Sequence, residues 1–387
     1  MIARKADMST FSSRNDRGIA LPLVLFVMVI LGLVIAGTFY VARLEMKSGD
    51  NTIAAAQASG AAEAGIDSVL ATWNSTVYNA MASSAETTMA TVSLGGNSSY
   101  IPILRRLNNT LFMVRSEGRE AFPGGGVQAR RYVAQLLRLD IPQLAMNSAI
   151  TTRTGITISG SSDVSGIDSV PAPWGAVCPP PGPAHPGVTD SSGNVVTSGA
   201  CSGASCITGS PQILTDPTIN SSTFTQYGNT NFFALAARAN LTVSGTINGI
   251  GPQVTGSPSV CRTSLIDNWG DPLNPNAPCG NYWPIIYAPG NLTVTGGVGQ
   301  GLLLVAGDLT LAGGVEFYGP VISLGTVRST GTGGHIYGGM MASNANLGTV
   351  LISGNSVVNF SSCAIARALQ GISIATPLGE RSWAQLN

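Results

Sequence analysis

The chain is patterned on three scales. From Ile19 to Ala42 it carries 24 residues without a charge, which as a helix spans roughly 36 Å, enough to cross a bilayer core with some tilt. Pro22 suits a first helical turn, where its missing N–H matters little. Beyond Arg43 the composition stays helical. "AAAQASGAAEAGIDSVLATW" is rich in Ala, and small residues recur at Ala54, Ala58, Ala61, Ala62 and Gly65, which favour helix and let a partner approach closely. Gly49 and Gly60 are weak points, and "KSGDN" is a candidate break. The pattern predicts a helix over 19–82, part membrane span and part packing spine. A connecting β region is expected over 83–145. Two or three strands precede Gly126, and Val127–Leu144 then alternates with nearly period two.

The third scale begins after residue 145, where short runs of Val, Ile, Leu and Thr alternate with Gly, Asn and Ser. "NLTVSG" at Asn240–Gly245 recurs as "NLTVTG" at Asn291–Gly296 and as "DLTLAG" at Asp308–Gly313, with relatives at Gly155–Gly160 and Thr349–Ser356. Thr293 to Thr310 is 17 residues, Thr310 to Thr326 is 16, and Thr349 lies 23 further on. Such periods suit the turns of a solenoid, in which one turn buries its apolar side chains only by stacking on the next. Leu292, Val294, Leu309, Leu311, Val350 and Ile352 are expected inside and the intervening Thr outside. The alternative is an ordinary β-sandwich. The expected fold is therefore α+β: a long N-terminal transmembrane and spine helix, then a mostly β head over 146–370, a parallel β-solenoid with disulfide-bearing loops, and a tail over 371–387.

Composition narrows the function. Charged residues are 10% of the chain and the formal net charge is zero, so nothing electrostatic points to nucleic acid. All six cysteines lie beyond residue 177, with no CxxC and no histidine beside a pair, which favours disulfides in an oxidising compartment over zinc. Cys261 and Cys279 bound a Pro- and Asn-rich loop and are the best pair. Cys201–Cys206 is a second, and Cys178 and Cys363 either pair or stay free. No catalytic residue, cofactor site or metal site is expected. Asp267 and Asp271 in "DNWGD" are the only close acid pair of the head and read as turn formers beside a packing Trp269, without a complete calcium motif. His185 and His335 read as surface residues. An enzyme is not expected, because glycoside cleavage needs two carboxylates across a cleft.

The start of the chain carries one more signal. Arg4, Lys5, Arg14 and Arg17 outnumber Asp7 and Asp16 ahead of the apolar run, so the positive-inside bias holds the N-terminus in the cytoplasm and sends the head across. The run is longer than a signal-peptide core, and "GTFYVARLEMK" is a poor cleavage site for one. "RGIALPLVLFVMVILGLVIAGTF" and "AAAQASGAAEAGIDSV" resemble the class III signal of type IV pilins and pseudopilins, above all the minor-pilin PilX N-terminal family, over residues 14–70. The resemblance implies a leader over 1–18, a prepilin peptidase cutting after Gly18, and Ile19 as the methylated mature N-terminus. Its partners would be other pilins or pseudopilins, met through the N-terminal helix, and inner-membrane lipid. Major pilins carry Glu at the fifth mature position, where this chain has Leu23, so it implies a minor subunit of a type IV pilus or secretion pseudopilus. The rival reading is a single-pass anchored β-solenoid adhesion or binding protein that does not polymerise.

Overall fold

The structure is a computed structural model and describes residues 20–343, 350–379 and 382–386. The first element is one unbroken helix, α1 (Ala20–Ala71), which runs through Gly49, Gly60 and the "KSGDN" segment without a break. It stops before a short helix α2 (Ser75–Tyr78), whose N-terminus is capped by the Asn74 side chain.

Five antiparallel strands follow: β1 (Glu86–Thr88), β2 (Val92–Gly95), β3 (Ser98–Arg106), β4 (Leu111–Ala121) and β5 (Val127–Asp140). β4 lies between β3 and β5, and β1 and β2 pair along the outer side of β3. The other side of β5 is taken by residues from the far end of the chain. Ile374–Pro377 and Trp383–Leu386 both pair with it antiparallel. The stretch read as a tail thus closes the edge of this sheet, and the region read as a connector is a layer in its own right. Its core is Leu104, Phe112, Val114, Val133, Leu137 and Leu139, sealed by Ala62, Ile66 and Val69 of α1.

Between β5 and those last strands lies a curled parallel sheet of 18 strands, wound as a solenoid with about three strands a turn. One face stacks Gly245–Ile250, Leu292–Gln300, Leu309–Ala312, Val327–Ser329, Val350–Ile352, Ile156–Ile158 and Val195–Thr197, each parallel to the next. That order is not the order of the chain. The chain enters mid-stack at Ile150–Thr152 and builds upward to Ile213–Thr215. Residues 216–240, with the short helix α3 (Phe232–Ala236), then carry it to the opposite end at Leu241–Thr242. From there it winds back toward its own beginning, and Val357–Phe360 finally slots against Asp163–Ser165. The chain therefore enters and leaves the solenoid side by side, and a helix α4 (Ser362–Gly371) leads out toward the antiparallel sheet.

Inside, Leu292, Val294, Leu309, Leu311 and Ile352 are buried while Thr293 and Thr310 are only partly so; Thr349 and the Val350 side chain lie outside the described residues. The corners explain the repeat. Asn291 Oδ1 accepts the Asp308 N–H at 2.9 Å, and Asp308 Oδ1 accepts the Thr326 N–H at 2.8 Å. A Cβ on Gly307 or Gly325 would strike that oxygen of the turn before. At another corner Gly301, Gly319 and Gly338 hold φ of +125°, +135° and +150°, a region that side chains rarely adopt.

Two readings of the repeat need correction. Thr310 pairs with Arg328, 18 residues on, and not with Thr326, which stands at the corner position of Asp308. "NLTVSG" is not the turn equivalent of "NLTVTG" either. Leu241 pairs with Ile286, and it is Gly245 that stands against Leu292.

Candidate functional site

Two regions carry features beyond folding: the α1 spine and the seam where the solenoid opens to its neighbouring sheet. Along α1, Leu21 to Ile53 is exposed on every side. The residues from Leu21 to Ala42 are uncharged and span roughly 33 Å as helix, long and apolar enough to cross a membrane. From Ala54 the helix lies on the antiparallel sheet. Ala54, Ala58, Ala61, Ala62, Gly65, Ile66 and Val69 form its buried stripe, with the three- and four-residue spacing of one helix face. Small residues are needed because contact is made at backbone range. A Cβ on Gly118 of β4 would strike the Ala58 carbonyl oxygen and the Ala62 nitrogen, and one on Gly65 would strike the Ser116 hydroxyl. Beside this contact the sheet holds Glu117 between two guanidinium groups, Arg119 Nε at 2.6 Å and Arg130 Nε at 2.9 Å. The Arg119 hydrogen bond, against a smaller opposing effect of burial, holds the Glu117 carboxyl below the usual range.

The expected processing residues Gly18 and Ile19, and the expected leader over 1–18, lie outside the described residues. All six cysteines are paired, as Cys178–Cys363, Cys201–Cys206 and Cys261–Cys279. Three disulfides are what an oxidising, extracytoplasmic compartment sustains.

The longest-range bridge, Cys178–Cys363, spans 185 residues and sits on the seam. Beside it the buried Asp168 carboxylate accepts the Ser362 N–H at 2.8 Å, the Ser362 hydroxyl at 2.6 Å and the Gly182 N–H at 2.6 Å. Burial alone would raise its pKa, but these donors outweigh burial and hold it below the ordinary value. At the other end of α4, the Asn79 side chain donates to the carbonyls of Gln370 and Ser373 at 2.8 and 2.9 Å. Asp168 and Asn79 thus fasten both ends of α4, and sequence reading passed over both. The one available signal was α4 itself, "SCAIARALQG", in which Arg367 interrupts an otherwise apolar face.

The Cys261–Cys279 loop is packed on the solenoid strands that carry Gln300 and Phe317. Trp269 is buried, donates to the Ile266 carbonyl at 2.8 Å and meets Phe317 edge-on. Asp271 accepts the Asn274 N–H at 3.1 Å, and Gln300 donates to the carbonyls of Gly280 and Tyr282 at 2.9 Å each. The two acids of "DNWGD" therefore belong to a folded turn. The histidines are less exposed than their Pro and Gly neighbours suggest. His185 is half-buried with its ring 4.3 Å from Phe360. His335 is half-buried with Nδ1 3.9 Å from Glu316, because it stands in a parallel ladder between Glu316 and Val357.

No family model matches the chain, and neither a curated protein nor a solved structure is significantly similar to it.

Proposed function

We propose that this chain is a minor pilin-like structural subunit, inserted in the bacterial inner membrane and assembled into, or initiating, a type IV pilus or secretion pseudopilus. A prepilin peptidase would cut between Gly18 and Ile19, and the β head would lie on the extracytoplasmic side. The observation that carries the reading is the length of bare helix on α1. A membrane span needs about 20 residues, and the exposed stretch continues past it through Leu44, Met46 and Ile53, which are 51%, 70% and 59% exposed. A tether has no use for a rigid helix with apolar side chains standing free of both lipid and head. A spine that packs against the same helix of neighbouring subunits does, and the resemblance of residues 14–70 to the PilX N-terminal family points the same way. Leu23, in place of the pilin Glu, favours a minor role and is also the observation on the side of the rival, an anchored adhesion or binding protein that never polymerises.

The test is the mature N-terminus. Mass spectrometry of the chain from its native membrane should begin at a methylated Ile19, and Gly18→Val should leave the leader attached. An intact leader in the wild type, or cleavage near Arg43, would overturn the reading. A processed chain that never cross-links to another pilin through α1 would favour the rival.

A further inference from the structure

A cavity of 310 Å³ opens where α2, the β3–β4 turn, the segments next to Cys178 and Cys279, and α4 meet. It is lined by Ser75, Asn79, Arg106, Asn281, Trp283 and Arg367, among others, and no acidic residue lines it. Two guanidinium groups are sunk in this wall. Arg106 is 6% exposed and spends its donors on backbone carbonyls, those of Asn79, Met81, Asn108 and Asn109. Its charge has no carboxylate within 4.0 Å among the described residues.

Arg367 is the more unusual. Its guanidinium lies over both indoles of the edge-on pair Trp174 and Trp283, 5.2 and 5.4 Å from their ring centres. It has no carboxylate partner either, and its buried Nε finds no hydrogen-bond acceptor among the described residues. The Trp174 N–H is committed elsewhere, to the Pro272 carbonyl at 2.7 Å, and Gly371 presses on Trp283 so closely that a Cβ there would collide with the ring. The fork is thus held against packed rings, and its buried Nε–H is left without an acceptor among the described residues. Burial pulls both guanidinium pKa values below their ordinary value, with no acidic group offsetting it. A buried charge without a counter-charge is unfavourable, and a rigid Arg fork without an acceptor matches the geometry of carboxylate and phosphate.

We propose that this cavity is a binding site for a compact oxyanion, a carboxylate or phosphate group, held by the Arg367 fork and the exposed Asn281 amide, with the Arg106 charge behind them. The volume admits a ligand no larger than about one sugar acid, at the low end of small-molecule sites. The inference rests on the cavity and not on the subunit role proposed above.

The experiment is a titration of the full chain in detergent micelles, followed by tryptophan fluorescence because the fork lies over Trp174 and Trp283. The probes are inorganic phosphate and galacturonate, with galactose as the neutral control and NaCl holding ionic strength constant. Saturable binding of either anion is expected, weakened at least tenfold by Arg367→Met and unchanged by Arg328→Met, an exposed guanidinium on the solenoid's outer face. Binding of galacturonate alone assigns a carboxylate ligand; binding of phosphate as well assigns oxyanions in general. Should Arg367→Met fail to fold, Asn281→Leu, at an exposed side chain with no hydrogen bond among the described residues, is expected to weaken binding severalfold at an unchanged melting temperature. Titrations indistinguishable from NaCl for both anions, or affinities that survive Asn281→Leu and Arg367→Met, would overturn the proposal.

Discussion

Replacing both Cys178 and Cys363 by Ala should destabilise the protein more than removing either other disulfide. The bridge joins residues 185 apart in sequence and ties the first turn of the solenoid to the helix that leaves its last. Cross-linking restricts the unfolded chain by an amount that grows with the logarithm of the loop, which gives about 5 kcal/mol for this loop. The same relation gives about 3 kcal/mol for Cys261–Cys279, separated by 18 residues, and about 2 kcal/mol for Cys201–Cys206, separated by 5. The folded state should survive the loss, because the seam is also held by parallel pairing of 340–342 with Ile150–Thr152 and of Val357–Phe360 with Asp163–Ser165. Guanidinium unfolding of the full chain, followed by tryptophan fluorescence, should then show a midpoint lowered by on the order of 1 M, given a slope of several kcal/mol/M for a chain of this size. The Cys201→Ala/Cys206→Ala pair should lose less than half as much. If the two double variants lose the same stability, the unfolded chain is not being restrained by loop length. If Cys178→Ala/Cys363→Ala loses the less, the seam is not where the solenoid opens.

Three further outcomes follow from the same geometry. Leu311→Asp places a charge at a position 3% exposed and should cost several kcal/mol, whereas Thr310→Asp, facing outward beside Arg328, should stay within about 0.5 kcal/mol; thermal melts followed by circular dichroism that rank them the other way would put the strand register wrong. Gly118→Val should lift α1 off its sheet by collision with Ala58 and Ala62, raising hydrogen exchange across 54–71 while the solenoid amides stay protected. Asp168, whose folded pKa is depressed, binds fewer protons folded than unfolded, so its contribution is present above the ordinary carboxylate pKa of about 4 and lost as pH falls through the folded value. Asp168→Asn should therefore lower stability at neutral pH and flatten its decline below about pH 4, and an unchanged acid limb would count against the Ser362 and Gly182 contacts.

The local chemistry of the head could be read from the sequence far better than its path. "NLTVSG" and "NLTVTG" look alike because both carry the same corner device. Asn240 Oδ1 accepts the Ile285 N–H at 2.8 Å just as Asn291 Oδ1 accepts the Asp308 N–H. The two Asn serve different corners, so nearly identical words stand on different faces, and the repeat assigned the wrong partners to residues 240–245. Order along the chain misled in a second way. Parallel strands of one solenoid pair through backbone groups that are nearly alike on every turn, so nothing local to Ile156–Ile158 announces that it rests on Val350–Ile352 rather than on a later turn. For the same reason the closing strands Ile374–Pro377 and Trp383–Leu386 looked like a tail: their partner, β5, lies more than 200 residues earlier.

The same contrast separates the two candidate regions. The α1 stripe was readable because one helix face meets one sheet, and close approach demands small residues at fixed spacing. The period alone therefore picks out Ala54, Ala58, Ala61, Ala62 and Gly65. The arginine cavity has no period. Ser75, Arg106, Asn281 and Arg367 come from four separate elements, and each is unremarkable in its own stretch. What makes them a site is the winding of the solenoid, which brings its point of departure back to its point of arrival. That carries α4 against α2 and the β3–β4 turn. A chain wound in simple order would leave its solenoid at the far end, and Arg367 would lie a full stack away from Arg106. The permuted path is thus what creates both the seam that Cys178–Cys363 fastens and the charged hollow beside it.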